Sequence, residues 1–240
     1  MLNYPHMHYH NKKDFLHHNE TVAASTVKEA IFGLEDGIVS TFGTILGIAT
    51  ATGDTQVVLL SGAVIIAVES VSMGVGSYIS STSEKAINER KLSEEKHEVE
   101  NYTEMEEKEM EQFFIIDGWP KDLAKKMAEV TAKDTSLMLK EMAYRELKVF
   151  PDEKTEPIKN GFVMWGSYII GGIIPLSFYI LLPIDIAIYA SVVGTLVMLF
   201  VVGALTTKFS KRSWSKAGFE MVILASLAAT FGYVMGQLLI

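Results

Sequence analysis

Two acidic residues lie within stretches that are otherwise apolar enough to enter a lipid bilayer. Asp36 lies in the apolar stretch 30–50, and Glu69 lies near the middle of the nearly uncharged run 57–80. A carboxylate at membrane depth is costly unless a polar or cationic group meets it, so it marks a candidate functional site. Met73 follows Glu69 by four residues, on the same helical face. Because thioethers suit borderline-soft metals, this set favours a path for metal ions.

A third carboxylate can share this path. Glu29 precedes Asp36 by seven residues, which places the two within about 20° of each other on a helix. The alternative for Glu29 is an interfacial position, and Glu35 lies on a different face. Glu220 is expected to be interfacial. A salt bridge that neutralises Asp36 has no obvious partner, because the other apolar stretches are almost free of Lys and Arg.

A second set of carboxylates lies in the glutamate-rich segment 93–111. If the segment is one helix, four of its glutamates share an arc of about 80°. Like charges so placed repel, and a divalent cation between them would reverse the sign of the interaction. A solvated acidic helix is the alternative interpretation. The four residues are Glu95, Glu98, Glu106 and Glu109.

A later row at helical spacing could close over these glutamates. It consists of Met138, Met142 and Glu146. Core packing is the usual fate of a methionine stripe. Met142 followed by Glu146 nevertheless repeats the pairing of thioether and carboxylate at Glu69 and Met73.

The histidines suggest two further metal-binding possibilities. Glu94-x-x-His97 matches the motif of di-iron carboxylate bundles, but the motif normally occurs twice and no second copy is present. This weakens the interpretation as an oxidase. The other five histidines lie in the first eighteen residues, where an incidental arm is favoured over weak metal binding. They are His6, His8, His10, His17 and His18.

The distribution of charge predicts a membrane body that is interrupted by a soluble insertion. Hydrophobic residues make up 49% of the chain and charged residues 21%. The interval 84–160 holds 20 of the 29 acidic and 14 of the 21 basic residues. Cysteine is absent, which excludes disulfides, thiolate zinc sites and thiol catalysis. Metal ligands must therefore come from Asp, Glu, His, Met or backbone oxygens.

Five stretches are long enough to cross about 30 Å of hydrocarbon as helices. They are 27–50, 57–81, 161–182, 184–207 and 217–240. Lys208, Lys211, Arg212 and Lys216 crowd the link between the last two, so this link is predicted to be cytoplasmic. The N-terminus and the insertion then share that side, and the C-terminus lies outside or in a lumen.

These boundaries predict four segments. They are a His-rich N-terminal cytoplasmic arm (1–26), transmembrane helices 1 and 2 (27–82), an acidic cytoplasmic metal-binding helical domain (83–158) and transmembrane helices 3 to 5 (159–240). The insertion should hold three helices, at 83–114, at 121–133 and from about Asp134 or Thr135 to Pro151. The pairs Gly33/Gly37 and Gly43/Gly47 allow a neighbouring helix to approach closely. A pore between two copies would enclose the polar residues, so a homodimer is expected.

The chain resembles the vacuolar iron transporter family over nearly everything after the His-rich arm. The resemblance rests on LEDGIV at 34–39, SMGVGSY at 72–78, the glutamate spacing and the order of the parts. It implies a dimeric five-span exchanger that moves Fe²⁺, and sometimes Mn²⁺, out of the cytosol against protons. The chain departs from the family pattern at a glutamate that family members carry two turns before the methionine. It would fall at Ile65, whereas here the acid is Glu69.

Site residues follow from the resemblance by position. The membrane path corresponds to Glu29, Asp36 and Met73, to which the local spacing adds Glu69. The implied ligands in the insertion are Glu95, Glu98, Glu106, Glu109, Met142 and Glu146.

The expected protein is therefore an all-α integral membrane transporter rather than an enzyme. It has no permanently bound cofactor, and Fe²⁺, Mn²⁺ or Zn²⁺ is the transported or bound ion. Its partners are divalent metal ions, protons, the lipid bilayer and a second copy, with no nucleic acid. It would lie in the plasma membrane of a prokaryote or the vacuolar membrane of a eukaryote. The alternatives are a membrane-anchored di-iron carboxylate oxidase, which would consume oxygen without moving ions, and a metal-sensing membrane protein without a through-path.

Overall fold

The computed structural model describes residues 24–149, 156–210 and 212–238. Within these residues every regular element is an α-helix. The helices are α1 (Ala24–Thr52), α2 (Thr55–Asn101), α3 (Thr103–Ile116), α4 (Lys121–Thr131), α5 (Thr135–Arg145), α6 (Pro157–Leu181), α7 (Ile184–Ser210) and α8 (Trp214–Leu238). The five N-terminal histidines lie outside the described residues, as does Pro151.

Five of the described helices, α1, α2, α6, α7 and α8, are long and apolar enough to cross a membrane. The shortest have 25 residues, or about 37 Å at 1.5 Å per residue, which exceeds the hydrocarbon thickness of about 30 Å. Their bounds agree with the predicted spans to within a few residues, apart from the continuation of the second. The prediction of an all-α membrane protein with five spans is confirmed.

The second span continues without a break into the insertion. Helix α2 has 47 residues, which corresponds to about 70 Å and is more than twice the thickness of the hydrocarbon layer. Asp54 starts it, because its side chain accepts hydrogen bonds from the backbone N–H groups of Gln56 (2.7 Å) and Val57 (3.3 Å). The C-terminal part of α2, from about residue 82, therefore lies outside the membrane and carries the first glutamates of the insertion.

The predicted helix 83–114 is wrong in one respect, because it is interrupted at Tyr102. Backbone angles there are φ −127° and ψ 32°, and α3 begins at the next residue. The neighbouring side chains compete for helical carbonyls: Asn101 Nδ2 donates to the carbonyl of His97 and Thr103 Oγ1 to that of Val99. Side chains of this kind favour helix ends over helix interiors. Glu95 and Glu98 thus lie on α2, whereas Glu106 and Glu109 lie on α3.

Helices α3, α4 and α5 pack with the end of α2 around their own apolar core. Phe114, Met110, Met138 and Met142 are among its buried residues. The turn after α3 falls at Gly118, whose φ of 97° is readily adopted only by glycine. Asp134, one of the two predicted caps, is the N-cap of α5. Its side chain accepts hydrogen bonds from the backbone N–H groups of Ser136 and Leu137.

Helix α1 occupies the centre of the membrane body, where it contacts α2, α6, α7 and α8. A Cβ atom added at Gly37 would overlap the backbone of Tyr168 on α6, and one at Gly47 would overlap that of Gly232 on α8. The predicted close approach at the glycine pairs is therefore made to helices of the same chain. Small residues bring the polar positions of α1 within reach of α6 and α8.

Candidate metal sites

Two glutamates of the insertion are buried. Glu95 on α2 is 3% exposed and Glu106 on α3 is 5% exposed. One oxygen of each, Glu95 Oε1 and Glu106 Oε2, is buried without a hydrogen-bond partner among the described residues. Buried carboxylate oxygens are costly unless they are paired, protonated or bound to a cation. The two side chains therefore form the inner wall of a candidate cation site.

Three exposed glutamates surround this buried pair. Glu98, Glu109 and Glu146 interact electrostatically with Glu95 or Glu106. Glu146 also forms a side-chain hydrogen bond with Glu95, which requires a proton on one of the two carboxyl groups. We refer to these five residues as the acidic cluster. The break at Tyr102 has not separated the glutamates that the spacing grouped together.

The acidic cluster binds protons more tightly than ordinary carboxylates do. Burial, reinforced by Glu146 and Glu106, raises the pKa of Glu95 to about 8. Burial, reinforced by Glu109, raises the pKa of Glu106 to about 7. The pKa of Glu146 is also raised, by burial and then by Glu109, although its hydrogen bond with Glu95 opposes the shift. A metal ion that binds near neutral pH must therefore displace protons.

We expect the metal-free insertion to lose stability as the pH rises from 4.5 to about 8. The folded pKa values lie above the ordinary value, so the folded state binds more protons than the unfolded state in this window. Raising the pH then favours unfolding, by up to about 1.4 kcal/mol per pH unit for each group. Amide hydrogen exchange of α3–α5 in the full chain, corrected for intrinsic pH dependence, measures this effect. Stability that rises with pH across the window would contradict the assigned protonation.

The metal-free arrangement is not a ready-made metal site. No three Asp, Glu or His side chains in the described parts of the chain are placed to hold one ion. The carboxyl groups of Glu95 and Glu146 interact with each other, and a metal ion that bound both would have to replace this interaction. Met142, the sixth predicted ligand, is fully buried in the apolar core of the insertion together with Met138. Its role as a ligand stays a prediction.

The di-iron motif is turned away from the acidic cluster. Glu94 is exposed and lies 3.7 Å from the guanidinium Nε of Arg90, one turn earlier on α2. His97 is exposed as well. Neither residue is among the groups that interact electrostatically with Glu95 or Glu106. The arrangement gives no support to an oxidase centre built on this motif.

The membrane carboxylates lie at the contact between α1 and α2. Asp36 is half-buried and interacts electrostatically with Glu69 across this contact. Met73, one turn after Glu69, is half-buried as well. In the described residues no Lys or Arg forms a salt bridge with Asp36 or Glu69. Asp36 and Glu69 therefore lie close together without a basic partner among the described residues, and Met73 follows Glu69 by one turn of α2.

Two neighbours of this site differ in environment. Glu29 accepts a hydrogen bond of 2.8 Å from Ser77 Oγ, which links the N-terminal part of α1 to α2. Ile65, one turn before Glu69, is half-buried, whereas Glu69 itself is exposed on the surface of the chain. A carboxylate cannot remain on a lipid-facing surface at membrane depth without a large cost. Glu69 therefore requires a cover that the described residues of the single chain do not provide.

Glu220 and Glu35 are two further acidic residues near the spans, and Tyr168 is a polar residue that was not predicted to belong to the site. Glu220 receives two 2.8 Å hydrogen bonds from Arg212 near the start of α8, which fits the predicted interfacial position. Glu35 is half-buried and interacts electrostatically with Asp36. No pattern in the sequence indicated a role for Tyr168, whose hydroxyl lies 2.6 Å from Ser40 Oγ. From the sequence, a tyrosine that forms a hydrogen bond in an apolar span cannot be distinguished from one that only packs there.

Five helices that are long and apolar enough to cross a membrane, with an acidic helical domain on the second of them, define an integral membrane protein. The sequence pattern of the VIT family matches residues 27–237. The chain is 30% identical to the vacuolar iron transporter of Toxoplasma gondii, over 94% of this chain and 78% of that protein. It is 26% identical to vacuolar iron transporter 1 of Arabidopsis thaliana, over 92% and 90%. The chain belongs to the VIT family.

Proposed function

We propose that this protein exports Fe²⁺, and Mn²⁺ as a second substrate, from the cytosol in exchange for protons. The observation that carries the proposal is the meeting of Asp36 and Glu69, unpaired at membrane depth, with Met73 one turn further on. Carboxylates and a thioether together suit a borderline divalent metal. The names of the relatives in Toxoplasma gondii and Arabidopsis thaliana point to iron.

The direction of transport follows from the proposed orientation. The basic link between α7 and α8 contains Lys208, Lys211, Arg212 and Lys216, which places it in the cytosol by the positive-inside rule. The odd number of spans then puts the acidic cluster and the N-terminus on the same side. Metal collected by the cluster would reach the membrane site from the cytosol, along the continuous helix α2.

The acidic cluster serves in this proposal as the cytosolic collector. Its proposed ligands are Glu95, Glu98, Glu106, Glu109, Met142 and Glu146. The buried oxygens of Glu95 and Glu106 have no partner among the described residues, and a divalent ion would satisfy both. Each ion that binds releases the protons that the cluster holds near neutral pH.

The proposal includes a homodimer because the membrane site is incomplete in one chain. Glu69 is exposed, and so are its apolar neighbours Val68 (61%) and Val71 (54%). A second copy that packs against this surface would shield Glu69 from lipid. It would also place two sets of carboxylates around one path, which lowers the cost of a dehydrated cation between them.

Proton exchange follows from competition for the same oxygens. Ionised Asp36 and Glu69 bind the metal when the site faces the cytosol. On the acidic side, protons bind these oxygens and the metal leaves; the protonated, uncharged site then returns and releases its protons to the cytosol. The carboxylates therefore carry either a metal ion or protons, which couples the two fluxes in opposite directions.

Flux measurements on the reconstituted protein test this function. The full chain is placed in liposomes with an acidic interior and with the insertion outside, and Fe²⁺, Mn²⁺, Zn²⁺ or Ca²⁺ is added in turn. We expect uptake of Fe²⁺ and Mn²⁺ that collapses when a protonophore removes the pH gradient, with little uptake of Ca²⁺ because a thioether is a poor ligand for a hard ion. Oxygen consumption with Fe²⁺ but no uptake would favour the oxidase, and metal binding without uptake would favour the sensor.

A further inference from the structure

The polar face of α1 continues beyond Asp36. Ser40 and Thr44 follow Asp36 by one and two turns, and Thr44 Oγ1 donates a 2.9 Å hydrogen bond to the carbonyl of Ser40. Both residues line a groove of about 700 Å³ between α1 and α8, beside Gly43 and Gly47. In the proposed orientation these residues lie further from the cytosol than Asp36. A metal ion that leaves Asp36 in the export direction would meet their oxygens next.

A tyrosine from a third helix reaches this face. Tyr168 on α6 is fully buried, and its hydroxyl oxygen lies 2.6 Å from Ser40 Oγ. Its hydroxyl also interacts electrostatically with Asp36 and Glu69. The approach depends on Gly37, because a Cβ atom there would overlap the Tyr168 backbone. Helix α6 thus contributes a hydroxyl to a site whose acidic groups come from α1 and α2.

Whether Ser40 donates or accepts in its hydrogen bond with Tyr168 decides whether its hydroxyl oxygen is free to bind a cation. Either oxygen can be the donor at this distance. If Ser40 donates to Tyr168, the lone pairs of Ser40 Oγ stay free to accept a cation. If Tyr168 were phenylalanine, the Ser40 hydroxyl would turn to a backbone carbonyl of the preceding turn, as serines in helices commonly do, and its orientation toward the path would be lost.

We propose that Ser40 is the next ligand of the transported metal ion after Asp36, and that Tyr168 is the positioning residue that holds the Ser40 hydroxyl in its ligating orientation. This inference rests on the proposed transport function. It assigns Ser40 to the release half of the cycle, after the ion has been loaded by Asp36, Glu69 and Met73. Loading from the cytosol does not require Tyr168, whereas onward passage does.

Tyr179 provides a matched control on the same helix. It is 1% exposed and packs in the apolar cluster formed by α1, α2, α6 and α7, and its hydroxyl has no hydrogen-bond partner among the described residues. Tyr179→Phe therefore removes an equally buried hydroxyl without touching the polar face of α1. A loss that comes only from removing a buried hydroxyl from α6 would appear in both variants.

The test measures Fe²⁺ uptake into proteoliposomes for Tyr168→Phe, Ser40→Ala, the double variant and Tyr179→Phe. We expect Tyr168→Phe and Ser40→Ala each to lower the maximal rate about fivefold, which is the effect of one hydrogen bond, with KM unchanged. The double variant should be no slower than either single variant, because both changes remove the same ligand. Tyr179→Phe should transport like the wild type.

Several outcomes would overturn the inference. They are a Tyr168→Phe protein with the wild-type rate, a change in KM alone, multiplied losses in the double variant, or an equal loss in Tyr179→Phe. Should Tyr168→Phe fold poorly, an unchanged rate in Ser40→Ala would still overturn it. Failure of the proposed function looks different, because the wild-type protein itself would then move no Fe²⁺.

Discussion

Asp36→Asn should abolish proton-driven Fe²⁺ uptake while leaving metal binding by the acidic cluster intact. Asparagine keeps the shape of the side chain but removes the negative charge that compensates a dehydrated cation at membrane depth. We expect the rate to fall by about 100-fold, which corresponds to about 2.7 kcal/mol in the barrier. Uptake into proteoliposomes gives the rate, and metal titration of the detergent-solubilised full chain gives the binding.

A second aspartate provides the control for this experiment. Asp185 is exposed in the first turn of α7, outside the contact between α1 and α2. Asp185→Asn should transport like the wild type. If Asp36→Asn moved Fe²⁺ at the wild-type rate, the path through Asp36, Glu69 and Met73 would be wrong.

The double variant Glu95→Gln/Glu106→Gln should lose cytosolic metal binding and become less sensitive to pH. Glutamine has nearly the same shape, but it supplies neither the negative charge nor the exchangeable proton of the buried pair. We expect the affinity of the insertion for Mn²⁺ to fall by about 100-fold, which corresponds to about 2.7 kcal/mol. The metal-free insertion should also lose most of its destabilisation between about pH 5 and about pH 8.

Titration with Mn²⁺ and hydrogen exchange of α3–α5 measure the two effects. Glu104→Gln is the matched control, because Glu104 is exposed on the same helix as Glu106 and is not among the groups that shift its pKa. This variant should keep both the affinity and the pH dependence of the wild type. Unchanged Mn²⁺ affinity in the double variant would show that the acidic cluster does not bind the metal ion.

In the proposed function, the acidic cluster and the membrane site both depend on competition between protons and a metal ion for carboxylate oxygens. In the insertion, buried carboxylates hold protons near neutral pH, and in the proposed function they release these protons when a metal ion binds. In the membrane, the same competition would decide whether the site carries metal or protons. The long helix α2 joins them physically, since it bears Glu95 at one level and Glu69 about 39 Å away at 1.5 Å per residue.

The sequence alone predicted the membrane body well because its signals are strong. Spans of more than twenty apolar residues and the Asp134 cap both correspond to features of the structure. The grouping of the glutamates was also predictable, although one premise was wrong. The prediction from residue spacing assumed one straight helix through Tyr102. The glutamates lie together despite the break because α3 packs against the end of α2.

Other features depend on contacts between residues far apart in the chain. The hydrogen bond between Ser40 and Tyr168 joins positions 128 apart, and the one between Glu29 and Ser77 joins positions 48 apart. No local pattern marks such pairs. Likewise, the glycine pairs predicted close helix contacts, but only the structure shows that α6 and α8 of the same chain fill them.

In the proposed function, the carboxylates at membrane depth carry a metal ion in one direction and protons in the other. Recording Fe²⁺ uptake and proton release in the same proteoliposomes, with wild-type protein and with Asp36→Asn, tests it most directly. We expect the two fluxes to rise together in the wild type and to disappear together in the variant. Fe²⁺ uptake that continues in Asp36→Asn, or that proceeds in the wild type without proton movement, would contradict it.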